Sequence, residues 1–507
     1  MNLSASQFET SDLPKGWVQT TLKDVCLQPQ YGWTTSAVQQ GRLRLLRTTD
    51  ITSGKINWEC VPFCEKEPDY KSKYLLEDGD IVISRAGSVG FSLLIKNPKE
   101  SVFASYLIRF KPLIDKDYAA YFLKTPAYWG AIYEKKLGIA LANVNATKLK
   151  EISIPVAPLN EQKRIVAKIE ELFTKLDAGV EALKKIKAQL KRYRQAVLKH
   201  AFEGKLTEEW RENNKDKLEP ASKLLERIAK EREKNAKGKI RKLPPLDTSG
   251  LPELPDGWEW ANLPLIVKQE KHSIKRGPFG SAIKKAFFVP SGYKVYEQRN
   301  AIYNDFVIGT YYINEAKFNE LKAFEVRAGD LIISCSGTIG RIAIVPDNAQ
   351  KGIINQALLK ITLNNEVIAT KYFVHLFSSY VLQQELLSNV RGSAMLNISS
   401  VEIVKQIPFA LAPIQEQQKI VEEIERHFSI ADEVEQAIEQ GLKQAERLRQ
   451  SILKRAFEGK LVEQTPEDEP AEKLLERIKA EKARLNTKLK MKRNISKEPD
   501  DGKESKW

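Results

Sequence analysis

The sequence predicts an α+β protein made of two related α/β regions and two long helices that pair as a coiled coil. Two observations lead to this prediction. The segment 158–206 occurs a second time at 413–461, with nearly half of the aligned positions identical. The regions ahead of these two segments also resemble each other, as in GDIVIS (79–84) and GDLIIS (329–334). Internal repetition of this kind indicates a duplicated architecture.

Both copies of the long segment place apolar residues at the alternating three- and four-residue spacing of a heptad seam. Each copy therefore predicts a helix of roughly 40 residues, about 60 Å long. A seam this narrow is typical of a coiled coil, in which each copy is the partner of the other. The alternative, in which each helix packs on its own globular region, leaves the shared heptad phase unexplained. The predicted seam residues are Ile165, Ile169, Leu172, Leu176, Leu183, Ile186, Leu190, Val197, Ile420, Ile424, Val434, Ile438, Leu448 and Ile452, and its weak positions are Gly179, Tyr193, His427 and Gly441.

The globular regions contain short aliphatic and β-branched runs bounded by Gly, Pro, Asn or Asp, which predict strands, and helical stretches near their ends. A proline-containing segment precedes each long helix and is expected to be extended. The predicted boundaries are a first globular domain at 1–157, a first long helix at 158–212, a charged helix and linker at 213–253, a second globular domain at 254–412, a second long helix at 413–462, and a charged helix and tail at 463–507.

Composition narrows the class of protein. The chain has 507 residues, a formal net charge of +15 and four cysteines. The positive charge favours a polyanionic partner, although solvated helix faces also account for such charge. The sparse cysteines argue against a disulfide framework, and the Cys60–Cys64 spacing lacks a second pair of ligands for zinc. No run of 18 apolar residues and no basic-then-apolar leader is present, so we expect a cytoplasmic protein without membrane contact.

Motifs for catalysis are missing from the sequence. It contains neither the G-x-x-x-x-G-K-[ST] loop that cradles phosphates nor a strand-linked G-x-G-x-x-G. The Asn/Asp-Pro-Pro-aromatic loop and the Pro-Cys nucleophile of many DNA methyltransferases are also absent. The four histidines are not paired at metal-ligand spacing. We therefore expect a protein that is not an enzyme by itself and binds no cofactor or metal.

Two glycine motifs, SRAGSVG (84–90) and SCSGTIG (334–340), resemble phosphate loops but stand between two predicted strands. A strand–turn–strand corner, with glycines at positive φ, is one interpretation. The alternative places their polar residues close to a phosphate backbone. Those residues are Ser84, Arg85, Ser88, Ser334, Ser336 and Thr338.

Basic stretches without periodicity are the other candidates for a recognition surface. They lie at 31–58 in the first region and at 271–288 and 293–305 in the second. Arg, Lys, Gln and Asn are the side chains that read base edges and hold phosphates, but each is also compatible with a solvated surface position. The candidates are Arg42, Arg44, Arg47, Lys55, Lys275, Arg276, Lys284, Lys285, Gln298, Arg299 and Asn300.

Over nearly its full length the chain resembles the specificity subunits of type I restriction-modification systems. The resemblance rests on the twofold arrangement and on PLNEQKRIV (158–166) and PIQEQQKIV (413–421), which open the long helices. It also rests on AFEGKL, which closes both helices, and on the paired GDIVIS and GDLIIS motifs.

This resemblance implies two target-recognition domains, each reading one half of a split double-stranded DNA site. It implies that the two long helices pack antiparallel as a spacer and that their outward faces and the AFEGKL ends bind two methyltransferase subunits. S-adenosylmethionine, ATP and Mg²⁺ would then be bound by those subunits and by motor-nuclease subunits, not by this chain. The competing hypothesis is a coiled-coil assembly protein whose globular domains bind other proteins.

Overall fold

The computed structural model describes residues 13–136, 143–235, 246–279, 282–388 and 401–495. The chain divides into two units, each with its own core. Unit 1 combines the residues up to Leu183 with those from Glu439 onward, and unit 2 contains Lys184 to Ile438. Each unit therefore holds one globular region and parts of both long helices. Parts of the predicted linker (236–245) and of the predicted tail (from 496) lie outside the described residues.

The first half of the chain follows the predicted order of short strands, short helices and one long helix. Its elements are β1 (Val18–Thr21), α1 (Leu22–Val25), β2 (Gln30–Tyr31), β3 (Ala37–Val38), β4 (Arg44–Leu46), α2 (Thr48–Ile51), β5 (Phe63–Cys64), α3 (Lys71–Tyr74), β6 (Ile81–Ser84), β7 (Ser92–Leu94), β8 (Ser101–Phe103), β9 (Leu107–Phe110), α4 (Lys116–Phe122), α5 (Pro126–Lys136), α6 (Ala146–Lys150), β10 (Ser153–Val156), α7 (Leu159–Phe202), α8 (Glu208–Asn214) and α9 (Ala221–Asn235).

The second half repeats this order with one additional strand, β16, and without a counterpart of α8. Its elements are β11 (Glu259–Ala261), α10 (Leu263–Ile266), β12 (Ile274–Arg276), β13 (Phe288–Val289), β14 (Tyr293–Tyr296), α11 (Gln298–Tyr303), β15 (Tyr312–Ile313), α12 (Glu315–Glu320), β16 (Glu325–Val326), β17 (Leu331–Ser334), β18 (Ile342–Ile344), β19 (Gly352–Ile354), β20 (Leu358–Ile361), α13 (Thr370–Phe377), α14 (Tyr380–Ser388), α15 (Val401–Gln406), β21 (Phe409–Leu411), α16 (Ile414–Phe457) and α17 (Ala471–Ile495).

The duplication extends to strand order. Unit 1 has sheets ordered β2-β9-β6-β7 and β3-β5-β4-β8, and unit 2 has the corresponding orders β12-β20-β17-β18 and β13-β15-β14-β19-β16. In each second sheet one parallel pair, β4 with β8 or β14 with β19, stands among antiparallel pairs. The mixed α+β fold predicted from the sequence is confirmed, and the two regions share one topology.

The proline-containing segments ahead of the long helices are strands. β10 pairs antiparallel with β1, and β21 pairs antiparallel with β11. The start of each globular region is therefore hydrogen-bonded to its end, directly before the long helix begins. This pairing closes each region and fixes the direction in which its helix leaves.

The Glu-Gln pair at the start of each long helix is buried and supports this junction. Gln162 accepts a hydrogen bond from the backbone of Asp115 at 3.0 Å and donates one to Ala157 at 2.8 Å. Gln417 repeats both contacts, with Ala369 and Ala412, each at 2.8 Å. Because these amides satisfy backbone groups that would otherwise be buried without partners, the Glu-Gln signature has a structural cause.

The AFEGKL segments end the long helices. The amide of Lys205 donates to the carbonyl of His200 at 2.9 Å, and that of Lys460 donates to Arg455 at 2.8 Å, the long-range bond of a Schellman cap. Gly204 and Gly459 take φ of +72° and +67° in these caps. A Cβ on Gly459 would collide with Pro14, so glycine is required there for both conformation and space.

The two long helices pack together, as predicted, and they run antiparallel within each unit. In unit 1 Asp177 forms an ion pair with Arg449, and Leu183 lies opposite Gly441. In unit 2 Arg194 pairs with Asp432 at 2.5 Å. The guanidinium of Arg449 also lies 4.4 Å from the ring centroid of Phe173, and that of Arg194 lies 5.8 Å from the ring centroid of Phe428. In both units, therefore, an arginine of one long helix pairs with an aspartate of the other helix and packs on an aromatic ring of that helix.

The predicted seam is buried at the helix ends but not throughout. Residues such as Ile165 and Ile424 are fully buried because they join the cores of the globular regions. Ile186, Val434 and Leu448, predicted as inward-facing, are 41%, 37% and 49% exposed. The prediction that these three side chains face inward disagrees with their exposure, because no globular core covers them in addition to the partner helix. The remaining seam residues are half-buried or buried, namely Ile169, Leu172, Leu176, Leu183, Leu190, Val197, Ile420, Ile438 and Ile452.

No helix in the described part of the chain is both long and apolar enough to cross a membrane.

Candidate nucleic-acid interface

The glycine motifs form hairpin turns. β6 pairs antiparallel with β7, and β17 with β18, so the strand–turn–strand interpretation holds. In each turn the first serine hydroxyl donates inward, from Ser84 to the carbonyl of Ser88 and from Ser334 to that of Thr338 at 2.6 Å. Ser84 and Ser334 are fully buried and hold the turn closed. We therefore remove both from the candidate DNA contacts.

The Gly-Asp pairs before these strands also have an internal role. Asp80 accepts the backbone N–H of Glu77 at 2.9 Å and lies 3.2 Å from the guanidinium of Arg109. Asp330 accepts the backbone N–H of Arg327 at 2.8 Å. Burial is the largest influence on Asp80 and raises the pKa of its carboxyl group, while the hydrogen bonds and Arg109 oppose that shift. The shared GD motif therefore braces a turn and does not indicate a ligand site.

Several other predicted contacts are engaged within the protein. The guanidinium of Arg44 donates to the carbonyl of Val61 at 2.7 Å and packs 4.8 Å from the ring of Phe63. Asn300 is fully buried and donates to the carbonyls of Asp305 and Ile308. The prediction that Asn300 contacts DNA is wrong, because its amide has no access to solvent.

Two further arginines, the half-buried Arg47 and the exposed Arg299, are paired with neighbouring carboxylates. Arg47 lies 2.9 Å from Asp50, and Arg299 lies 2.6 Å from Glu297. Exposed ion pairs of this kind contribute little to stability and exchange partners readily, so both arginines stay candidates for phosphate contacts.

Arginine–aromatic pairs lie at corresponding edge strands of the two units. The guanidinium of Arg85 is 5.1 Å from the ring of Tyr31 on β2, and that of Arg276 on β12 is 5.5 Å from the ring of Phe279. Phe279 is 65% exposed and Tyr31 is 40% exposed. Exposed aromatic rings beside arginine can contact base edges and sugars while the cation holds a phosphate.

The structure separates the remaining candidates by location. Lys275 packs over Phe324 at 5.0 Å. Lys55 lines a cleft with Tyr121, Lys124, Phe173 and Arg449, on the helix side of unit 1. The others lie on surface turns and loops, with Ser336 half-buried and the rest exposed, and they are Arg42, Ser88, Lys284, Lys285, Ser336 and Thr338.

Thr48 was not among the predicted contacts, although it begins α2 just as Gln298 begins α11. Thr48 is neither basic nor part of a motif, so composition alone did not mark it. Aligning the two halves of the chain on their repeated strands would have found it, because β4 and β14 precede these helices at equivalent places.

The three buried cysteines offer no reactive thiolate. Burial raises the pKa of Cys26 to about 12 and the pKa values of Cys64 and Cys335 to about 11, so these thiols stay protonated near neutral pH and are poor nucleophiles. Among the residues that the structure describes, no group of three or more His, Cys, Asp or Glu side chains could hold a metal ion.

Comparison with known proteins agrees with this architecture. The family model for the type I restriction modification DNA specificity domain matches residues 14–192 and 279–444. The chain is 26% identical over 497 residues to the type I restriction enzyme EcoKI specificity subunit of Escherichia coli K12, covering 93% of this chain and 96% of that protein. It is 25% identical over 501 residues to the StySPI specificity subunit of Salmonella potsdam, with the same coverage of both chains.

The fold has a match among solved structures. A chain from a study of the assembly and conformational transition of the type I R-M system superimposes with a TM-score of 0.61 at 16% identity, covering 88% of this chain and 99% of that one. The two family matches together span more than half of the sequence and fall on both globular regions and both long helices. The chain belongs to the type I restriction-modification DNA specificity family.

Proposed function

We propose that this protein is the DNA-reading subunit of a type I restriction-modification complex and that each unit reads one half of a bipartite double-stranded site. The observation that carries this proposal is the duplicated topology of a chain in the specificity family. The two units share a strand order, to which unit 2 adds β16, and they present different side chains at equivalent places, such as Thr48 and Gln298. Two related frames with different polar residues suit an asymmetric site with two unlike halves.

The surface chemistry supports a nucleic-acid partner. The net charge of +15 provides attraction to phosphates that does not depend on sequence. Arg85 with Tyr31, and Arg276 with Phe279, add half-buried cations beside exposed rings in both units. The serines that hold the hairpin turns closed leave the tips, Ser88 and Thr338, facing solvent.

The long helices serve two purposes in this proposal. They set the spacing between the two half-sites, and they bind two methyltransferase subunits, which in turn associate with motor-nuclease subunits. Exposed apolar side chains on the helices, Ile186, Ile430 and Val434 in unit 2, are suited to a protein partner. The AFEGKL ends contribute less than their sequence suggests, because Ala201, Ala456 and Phe457 are buried in the units.

The proposed division of labour assigns catalysis to the partners. S-adenosylmethionine, ATP and Mg²⁺ would be bound by the methyltransferase and motor-nuclease subunits, and the complex would act in the cytoplasm on double-stranded DNA. Within this chain the thiols of Cys26, Cys64 and Cys335 are buried, and the carboxylate of Asp80 supports a turn, so these groups stabilise the fold.

A genome-wide map of adenine methylation, made with and without this chain, tests the proposal. We expect one bipartite adenine-methylation motif to disappear when the chain is deleted and to return when it is supplied again. If methylation is unchanged by the deletion, the chain is an assembly protein with protein-binding domains and the DNA-reading function is wrong. Methyl transfer by the purified chain alone would contradict the assignment of catalysis to partners.

A further inference from the structure

A side-chain oxygen without a hydrogen-bond partner occurs at the same structural position in both units. In unit 2 it is Oε1 of Gln298, the first residue of α11, and in unit 1 it is Oγ1 of Thr48, the first residue of α2. No donor in the described part of the chain reaches either atom. A buried polar atom without a hydrogen-bond partner lowers the stability of the folded state, so its occurrence in a folded protein calls for an explanation.

The residues around Gln298 are otherwise engaged. Glu297 accepts the guanidinium of Arg299, and Asn300 is committed to the carbonyls that close the loop after α11. Among residues 297–300, Gln298 is therefore the side chain whose polar group is not used by the fold.

The carboxamide of Gln298 lies beside the tip of the hairpin between β17 and β18. Its Nε2 is 3.9 Å from the place where a Cβ would stand on Gly337. Gly337 has a φ of +65°, and both it and Thr338 are exposed. Gln298 is half-buried and its Oε1 has almost no exposed surface, so a ligand contacts this atom only when the carboxamide turns toward the hairpin tip, where Gly337 carries no side chain.

The chemistry of a carboxamide at such a tip indicates what the ligand is. Glutamine pairs with the major-groove edge of adenine through two hydrogen bonds, accepting from N6 and donating to N7. A threonine hydroxyl is less selective, and its methyl group can contact the methyl group of thymine. A base edge would supply the donor that Oε1 of Gln298 lacks within the protein.

We propose that Gln298 reads an adenine in the half-site bound by unit 2 and that Thr48 occupies the corresponding place, with a different preference, in unit 1. This inference rests on the proposed DNA-reading function and makes it specific. It assigns sequence discrimination to a side chain beside the hairpin tip, and it assigns the adjacent Arg299 to a phosphate.

The test uses the complete complex of this chain with its methyltransferase subunits and a library of DNA sites randomised in both half-sites. Methylated molecules are sequenced for the natural chain, for Gln298→Ala and for Gln298→Glu. With Gln298→Ala, discrimination at one adenine of one half-site should fall roughly 5- to 150-fold, the range expected for loss of a bidentate base contact. With Gln298→Glu, preference at that position should move toward cytosine, whose N4 amino group donates to a carboxylate.

Two controls are built into this design. The half-site read by unit 1 should be unchanged in both variants, which shows that the complex is folded and active. Gln350→Ala removes an exposed glutamine of the same unit whose amide donates to Gly292, and it should leave both half-sites unchanged.

Retention of full discrimination in both Gln298 variants would overturn this inference, and so would a uniform loss of methylation without a change of preference. Neither result would affect the proposed function, which fails only if the natural chain directs no bipartite methylation motif. If Gln298→Ala abolishes methylation, the decision rests on Gln298→Glu, which keeps the size of the side chain. A shifted preference there supports the inference, and no shift refutes it.

Discussion

Replacing Glu416 by alanine should destabilise unit 2 far more than the equivalent change at Glu161 destabilises unit 1. Glu416 is fully buried at the start of α16. Its carboxylate accepts hydrogen bonds from the indole of Trp258 at 2.8 Å, the guanidinium of Arg211 at 2.8 Å and the hydroxyl of Thr207 at 2.7 Å. It joins the start of α8, the segment just before β11 and the start of α16 in one network.

The expected magnitude follows from what the substitution leaves behind. Arg211 is only 7% exposed, so Glu416→Ala leaves a buried cation without its carboxylate, which typically costs about 3–5 kcal/mol. Glu161 accepts the indole of Trp17 at 3.1 Å, and burial raises the pKa of its carboxyl group, so its charge is weakly compensated in the folded state. Removing Glu161 leaves mainly a neutral donor unpaired, at about 1–3 kcal/mol.

Hydrogen–deuterium exchange at increasing urea concentrations measures the two effects separately, because peptides from each unit report their own opening free energy. Glu416→Ala should lower the opening free energy of unit 2 peptides and leave unit 1 peptides unchanged. The double variant with Arg211→Ala should lose less than the sum of the two single changes, since it also removes the stranded cation. Equal losses for Glu416→Ala and Glu161→Ala, or full additivity in the double variant, would refute the argument.

Three further predictions concern the helices and the caps. Inserting four residues after Leu183, about one helical turn, should change the preferred gap between the half-sites but not the half-sites; a survey of methylated sites with an unchanged gap would contradict this. Burial lowers the pKa of His375 below its usual value of 6.5, so its contribution to stability is present above that pH and lost as pH falls through 6.5 toward the folded-state pKa. Unit 2 of the natural chain should therefore lose more stability between pH 7 and pH 5 than unit 2 of His375→Phe, as measured by exchange of unit 2 peptides; parallel pH profiles would exclude His375 as the cause. Gly54→Ala should cost unit 1 about 1–2 kcal/mol from its φ of +76° alone. Gly459→Ala should cost about 1–3 kcal/mol more, because its Cβ also collides with Pro14, and equal urea midpoints for the two variants would show that the cap relaxes.

The periodic features of this chain could be predicted from the sequence with good accuracy. The first long helix, expected at about 40 residues, runs from Leu159 to Phe202, and the second runs from Ile414 to Phe457. The strands GDIVIS and GDLIIS form as β6 and β17. These features are encoded locally, since helix and strand periods are visible in any window of residues that contains a few turns or pleats.

The burial of the coiled-coil seam was less predictable. Heptad spacing marks which residues face a partner helix, but it does not say how completely the partner covers them. Ile165 is buried because the core of a globular region adds a second neighbour, whereas Leu448 has no such cover and is 49% exposed. The additional neighbours come from residues far away in the chain.

Repeats and heptad periods are visible without coordinates, so the sequence was enough to predict a tandem duplication with two related α/β regions and two paired long helices. The folded structure was needed to show which of the candidate polar side chains are engaged within the protein. Arg44 and Asn300 were as suitable as Gln298 by residue type, yet the first two are engaged by carbonyl groups of neighbouring loops and turns. Whether a side chain is available depends on backbone groups that the folded loops bring to it, and neither composition nor spacing records where those groups lie.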